Sequence, residues 1–280
     1  MFEPFQEPFM QRAIAEMTLL ALAGGALGCW VVLYEVSYAA ESLAHSLLPG
    51  LVIAAIAGIP LLLGATPAIV LGALAIALAS RIPGVSGDVG IAVVVTTMFG
   101  LGVLLALSPQ SPPGIETLLF GDILGPSDGD LIAAALLVAL VAAALPFLHW
   151  RLLTTGFDRG AARALGLSPA IADAALLVLL AAGIVVAVQG LGNLLVVAVF
   201  VGPAAAARNL TSRIGPMIAV AAGIAVLAGI AGLYLSYYVG TAGGASVALT
   251  IVAAYILSLP AGRLATTRPR KPVPEPATIV

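Results

Sequence analysis

Charge is what this sequence lacks most. Only 9% of its 280 residues are Asp, Glu, Lys or Arg, against roughly a quarter in an ordinary soluble domain. Twenty-four charged side chains cannot clothe a water-exposed surface of that size, so a soluble globular fold is excluded. Cysteine is nearly absent as well: Cys29 is the single one. No disulfide can close within the chain, no thiolate cluster can form, and the redox compartment is left open. Two chemical signatures are also missing. There is no Gly-x-x-x-x-Gly-Lys-Ser/Thr phosphate loop and no His-Glu-x-x-His. The chain therefore does not hydrolyse ATP by the phosphate-loop route, and a zinc protease of that type is not expected. No cleavable signal peptide is read at the N-terminus.

What is there is apolar. Hydrophobic residues make up 61% of the chain, and the mean hydropathy is +1.16. The solvent suited to such a surface is lipid. A helix needs about 20 apolar residues to cross the hydrocarbon layer. Stretches of that kind lie near 14–35, 38–58, 61–80, 88–107, 129–150, 170–189, 191–207, 215–237 and 244–261. The expected fold is an all-α, polytopic transmembrane helical bundle of about nine spans, with eight as the alternative. The seventh stretch is short and is expected to be broken or re-entrant. Residues 1–13, amphipathic with Phe2, Phe5 and Phe9 among Glu3, Gln6 and Glu7, are expected to be an external interfacial segment. Residues 14–261 form the membrane domain. Residues 262–280, with Pro269, Pro272, Pro274 and Pro276, are expected to be a disordered cytoplasmic tail.

Positive charge orients the chain. With the C-terminus in the cytoplasm and nine crossings, Arg81, Arg151, Arg159, Arg163, Arg208, Arg213, Arg263, Arg268, Arg270 and Lys271 all fall inside. Only Arg12 falls outside. The N-terminus is then external. The outer loop at about 108–128 carries Glu116, Asp122 and Asp128 and no Lys or Arg. It is either a mouth that concentrates cations or an ordinary solvated loop.

Ionisable groups inside a membrane are costly, on the order of 2.5–3.5 kcal/mol each. Glu16, Glu35, Asp88 and Asp173 read as lying near span ends. The second span is different, running Glu41-Ser42-Leu43-Ala44-His45-Ser46-Leu47-Leu48-Pro49-Gly50. Glu41 and His45, four residues apart, share one helix face. Oxygen and nitrogen ligands together suit Mn²⁺, Fe²⁺ and Zn²⁺. Pro49 has no N–H, so the His45 carbonyl is expected to lose its helical partner, offering a third ligand or a water site. Gly50 is expected to help the helix bend. The other reading of Glu41 and His45 is a hydrogen-bonded pair that only locks two helices together. His149, beside Trp150 and Arg151, reads as an interfacial anchor. Pro203 reads as a kink in the seventh span.

Local punctuation is legible too. Ser127-Asp128-Gly129-Asp130 resembles a capping box opening the fifth span, and Ser168-Pro169 pairs an N-cap with proline at the first helical position. Ala225, Ala228, Gly229 and Gly232 make small-xxx-small pairs in the eighth span. Between the fifth and sixth spans, Asp158 can cap a short helix and Gly166 can end it. Arg159 and Arg163 fall on one face of that helix, Ala162 and Leu165 on another. It is either a docking element for a cytoplasmic partner or a connector resting on the membrane.

Over about residues 8–260 the ordered set resembles the membrane permease subunit of the manganese/zinc/iron class of ABC importers. The set comprises Glu41 through Gly50, Phe120-Gly121-Asp122-Ile123-Leu124, Phe157-Asp158 through Gly166, Gly202-Pro203 through Arg208, and Ser236-Tyr237-Tyr238. The resemblance implies a type II-like ABC importer fold, a homodimer around one pathway, two cytoplasmic ATPase subunits and an external solute-binding protein. Nucleic acid is not among the implied partners. It implies metal contact at Glu41 and His45, with Asp122 and Pro49 at the outer mouth or along the pathway. It also implies ATPase docking by the helix of Asp158, Arg159, Arg163, Leu165 and Gly166. No cofactor is permanently bound on this reading, and Mn²⁺, Zn²⁺ or Fe²⁺ is cargo. This chain departs from the family pattern in having Glu41 where aspartate is usual, and Tyr34-Glu35-Val36-Ser37 where a basic pair often precedes the motif. Without the resemblance, a proton-coupled transporter, a metal-chelate permease and a membrane scaffold remain open.

Overall fold

Lipid-length apolar runs become helices because only a helix satisfies its own backbone away from water. The computed structural model describes residues 6–79, 87–114, 121, 123–193 and 195–266, and all regular structure among them is helical. Eleven helices are described: α1 (Pro8–Leu33), α2 (Ser37–Ser46), α3 (Leu48–Ala57), α4 (Leu61–Ala79), α5 (Gly87–Ala106), α6 (Asp128–Phe157), α7 (Arg159–Ala164), α8 (Pro169–Leu191), α9 (Val196–Leu210), α10 (Ile214–Val239) and α11 (Gly243–Thr266). Among the described residues seven stretches are long and apolar enough to cross a membrane, α2 and α3 together forming one of them. Leu61–Ile76 and Val196–Leu210 are shorter apolar helices. Each of the nine apolar stretches of the sequence thus corresponds to a helix or to the α2–α3 pair.

The helix ends follow local chemistry. Ser127 and Asp130 close the reciprocal capping box that opens α6. Gly58 and Gly240, with φ of 66° and 70°, end α3 and α10 in the left-handed conformation that glycine adopts without steric cost. Proline stands at the start of α1, α3 and α8, where its missing N–H costs nothing. The first helix begins at Pro8, several residues ahead of the apolar run, and the last continues through Thr266. Arg81, the acidic-loop residues Glu116 and Asp122, and the proline-rich tail from Thr267 lie outside the described residues.

Burial separates the core from the lipid face. In α1, 67% of the membrane-length window is buried, against 17% for Val89–Ala106. The central α1 packs against α10, α9, α6 and α8. Phe200 of α9 inserts its ring at Gly24 and sets its carbonyl against Gly28; any β-carbon at either glycine would collide with it. A second bundle of α2, α3, α4 and α5 packs alongside. Gly50 and Gly64 face each other there, each occupying the space a β-carbon on the other side would need. Gly50 is thus a contact point between α3 and α4 as well as a neighbour of the break. Large side chains such as Leu104, Leu107, Phe147 and Leu257 point outward, 69–86% exposed, as a lipid-facing surface requires.

The small residues of the eighth span pack within the chain: Gly229 receives Met17 of α1, and Gly232 lies against the backbone of Val247 in α11. Pro203 sits inside a continuous α9. The short seventh stretch is unwound ahead of it, with Gly192 at φ 76°.

Candidate metal site and its surroundings

The second span breaks once. Helix α2 ends at Ser46, Leu47 caps it, and α3 starts at Leu48 with Pro49 in its first turn. The chain answers the missing proline N–H by tightening the turn: the carbonyls of Ala44 and His45 both accept capping N–H groups. The His45 carbonyl is therefore engaged, which corrects the expectation of a free third ligand. Pro49 is buried and shapes the break.

Glu41 and His45 do share one face. Their Oε1 and Nε2 atoms lie 3.9 Å apart, with 52% of the Glu41 side chain and 17% of the His45 side chain exposed. That distance is too long for a hydrogen bond, so the pair is not a closed lock. The imidazole stands edge-on to Phe99 of α5, with ring centroids 5.1 Å apart. Its Nδ1 is buried with no hydrogen-bond partner. The neighbouring hydroxyls are spent on the helix itself: Ser42 donates to the Tyr38 carbonyl at 2.7 Å and Ser46 to the Ser42 carbonyl at 2.8 Å. Metal–ligand bonds of about 2.1 Å at a tetrahedral angle put two donors about 3.4 Å apart. The observed pair needs to close by only about half an ångström to grip an ion at that bond length. Among the described residues no three His, Cys, Asp or Glu side chains converge on one point. The described residues thus offer two candidate ligands there.

Asp122 lies outside the described residues. Asp128, at the end of the outer loop, is neutralised by Arg12 at 2.8 Å, and Asp130 belongs to the capping box. These two carboxylates are therefore committed to structure. Two residues were not singled out by the sequence. Glu16 is 1% exposed and its carboxylate lies against Gly190 of α8. Helix α1 starts at Pro8, a proline at the first helical position that marks the start in the sequence, and so carries Glu16 about two turns inside rather than at a span end. Asn193, fully buried, has neither amide atom hydrogen-bonded. The Gly192-Asn193 pair in the unwound connection was its only trace in the sequence.

The short helix α7 is present. Asp158 Oδ1 accepts the N–H groups of Gly160 and Ala161 at 2.7 and 3.0 Å. Gly166, at φ 75°, ends the helix, and the Leu167 N–H returns to the Ala162 carbonyl at 2.9 Å. Ala162 is buried, while Leu165 is 63% and Phe157 73% exposed. Arg159 forms a bidentate pair with Asp173 of α8, at 2.9 and 3.0 Å. His149 is edge-on to Trp30 at 5.5 Å, an aromatic contact between α6 and α1.

A multi-pass helical membrane protein with an open pair of metal-type ligands in one broken helix, and a capped helix projecting at one end, has the parts of a transport permease. The chain belongs to the ABC 3 transport family, whose sequence profile matches residues 6–261. It is similar to the "Probable iron transport system membrane protein" of Haemophilus influenzae, 32% identical over 92% of this chain and 96% of that one. It is also similar to the manganese transport system membrane protein MntC of Halalkalibacterium halodurans, 31% identical over 89% and 86% of the two chains. Among solved structures, PsaBC from Streptococcus pneumoniae in complex with Fab superposes with a TM-score of 0.86, at 26% identity and with 95% and 97% of the chains covered.

Proposed function

We propose that this chain is the permease subunit of an ATP-driven importer of a divalent transition-metal ion, manganese, iron or zinc, with Glu41 and His45 contacting the ion in transit. The observation that carries this reading is the open pair on one face of α2, 3.9 Å apart, with no third His, Cys, Asp or Glu converging on it among the described residues. A second copy related by a two-fold axis supplies the remaining ligands. Manganese and iron are the ions named for its relatives, and the donor set suits zinc as well. Two ATPase subunits dock at α7 and perform the hydrolysis, and an external binding protein delivers the ion. The N-terminus lies outside and the C-terminus in the cytoplasm, with residues 14–261 as the permease domain between an external segment and a cytoplasmic tail. The Arg12–Asp128 contact sets the start of α1 and the outer loop at one end of the bundle, and the orientation itself rests on the bias of Lys and Arg along the sequence.

The test is uptake of labelled manganese, iron and zinc into proteoliposomes holding the permease, its ATPase and its binding protein. Uptake that needs ATP and is lost in Glu41→Ala and His45→Ala is the expected result. Uptake by the purified chain alone, driven by a proton gradient and abolished by an uncoupler, would overturn it.

A further inference from the structure

Tyr34 stands just past the end of α1, and Ser37 opens α2, so residues 34–36 are the whole connection into the helix that carries Glu41 and His45. The connection is tightly held. The Glu35 N–H donates to the Val32 carbonyl and the Val36 N–H to the Val31 carbonyl, at 3.3 and 3.1 Å. Arg208 of α9 donates to the Val32 carbonyl at 3.4 Å. Glu35 has φ 59°, and no other non-glycine among the described residues has a positive φ. A bulky residue in the left-handed region is strained, and such strain persists only where the surroundings impose it.

Tyr34 ties this connection to the base of α7. Its hydroxyl donates to the Leu152 carbonyl of α6 at 2.9 Å. Its ring covers Gly156, where a β-carbon would lie 2.9 Å from Cε2, two residues before the Asp158 cap. Burial, and after it the Asp173 carboxylate, push the phenol up to about 12, against a smaller opposing effect of Arg159. The hydroxyl therefore stays a donor at physiological pH, within electrostatic reach of the Arg159–Asp173 pair.

That pair makes α7 and the first turns of α8 one body. Both terminal guanidinium nitrogens meet both carboxylate oxygens, and a fork of this kind fixes orientation as well as distance. A lysine could supply the charge but not the fork. Through the ring and hydroxyl of Tyr34 the α1–α2 turn thus meets the last turns of α6, which run directly into α7.

We propose that the Arg159–Asp173 fork and Tyr34 form a strut that passes displacement of α7 to α2, so that the placement of the Glu41–His45 face follows the position of α7. What displaces α7 rests on the ATPase docking proposed above. The mechanical link does not, because it lies wholly within this chain. Glu41 sits four residues into α2, about 6 Å along the axis at 1.5 Å per residue. A small tilt imposed at residues 34–36 is thus felt at the ligands. Tyr34, Arg159 and Asp173 are positioning residues on this account, acting on the ion only through α2.

Two measurements test the strut. In the purified permease, amide hydrogen exchange over residues 37–46 is compared for the wild type, Arg159→Asp, Asp173→Arg, the double swap and Tyr34→Phe. The last keeps the ring on Gly156 and removes only the hydroxyl. Each single change is expected to raise α2 exchange about five- to tenfold, and the double swap to restore it. Unchanged α2 exchange in the single variants, with exchange altered only in α7 and α8, overturns the strut. In the full complex with ATPase and binding protein, Tyr34→Phe and Asp173→Arg, which leave the docking helix itself unaltered, are expected to keep the ATPase bound and lower ions moved per ATP by about tenfold. Wild-type coupling ratios in Asp173→Arg and Tyr34→Phe overturn it equally. Failure of any ATPase to co-purify with the wild type would sink the proposed function, and the exchange comparison would still decide the strut.

Discussion

Replacing His45 by leucine separates a site residue from a structural one. The imidazole is mostly buried, and its losses can be counted. The edge-on contact with Phe99 contributes about 0.5–1.5 kcal/mol beyond area. Against that, Nδ1 is buried without a partner, and a buried unsatisfied polar atom costs about 1–3 kcal/mol. Leucine fills similar volume, removes the orphan nitrogen and keeps apolar contact with Phe99. The net expectation is a variant between neutral and about 2 kcal/mol more stable. At about 2–4 °C per kcal/mol for a chain of this order of size, the melting temperature stays level or rises by several degrees. Uptake should nevertheless fall by about 100-fold or more, since removing even a supporting group around a metal costs about 10–100-fold. The assay is a melt of the detergent-solubilised permease beside metal uptake in proteoliposomes at matched protein amounts. A melting temperature lowered by about 5 °C or more, with uptake falling only in step with folded protein, would show His45 to be a packing residue and refute the reasoning.

Two further outcomes follow from the backbone. Gly50→Ala pushes a β-carbon into the Gly64 carbonyl; α3 and α4 must separate, and a loss of about 1–3 kcal/mol is expected by thermal melt. Glu35→Gly relieves a left-handed residue worth about 1–2 kcal/mol, and the greater freedom of the unfolded chain offsets about 0.4–1 kcal/mol of it. Its melting temperature should hold level or rise by a few degrees, whereas Glu35→Val should lower it clearly; equal behaviour of the two would mean that φ at residue 35 carries no strain.

The parts of this molecule that were legible in the sequence are those decided locally. Lipid thickness sets the length of an apolar run, so nine runs became nine helical stretches. The capping box at Ser127 and the Asp158 and Gly166 ends of α7 each close within a few residues. Glu41 and His45 were legible because helix geometry alone puts them on one face. Distant pairings were not: Arg159 meets Asp173, Arg12 meets Asp128, and Tyr34 meets Leu152 only once the helices have packed. The Pro49 inference went astray for a related reason. It assumed an ideal helix continuing past the proline, while the chain tightened its turn and re-engaged the His45 carbonyl. Glu16 was misplaced because hydropathy, which ignores helix caps, started α1 too late.

On the proposed function, a site that has only Glu41 and His45 among the described residues of one chain bears on how an importer can let go of its ion. A closed four-ligand site holds a metal by about 10–16 kcal/mol, which would trap cargo. Divide the same ligands between two copies, Glu41 and His45 from each, and separating the copies by an ångström or two leaves two ligands per side. If the halves contribute equally, the switch is worth about 5–8 kcal/mol. Moving a two-state equilibrium from 1:99 to 99:1 takes about 5.5 kcal/mol of differential affinity. Division of the site is therefore sufficient to turn capture into release with no change of ligand chemistry. It requires that the half left in each chain be open when the copies part, and the 3.9 Å gap with a half-exposed Glu41 is the geometry such a half-site must have.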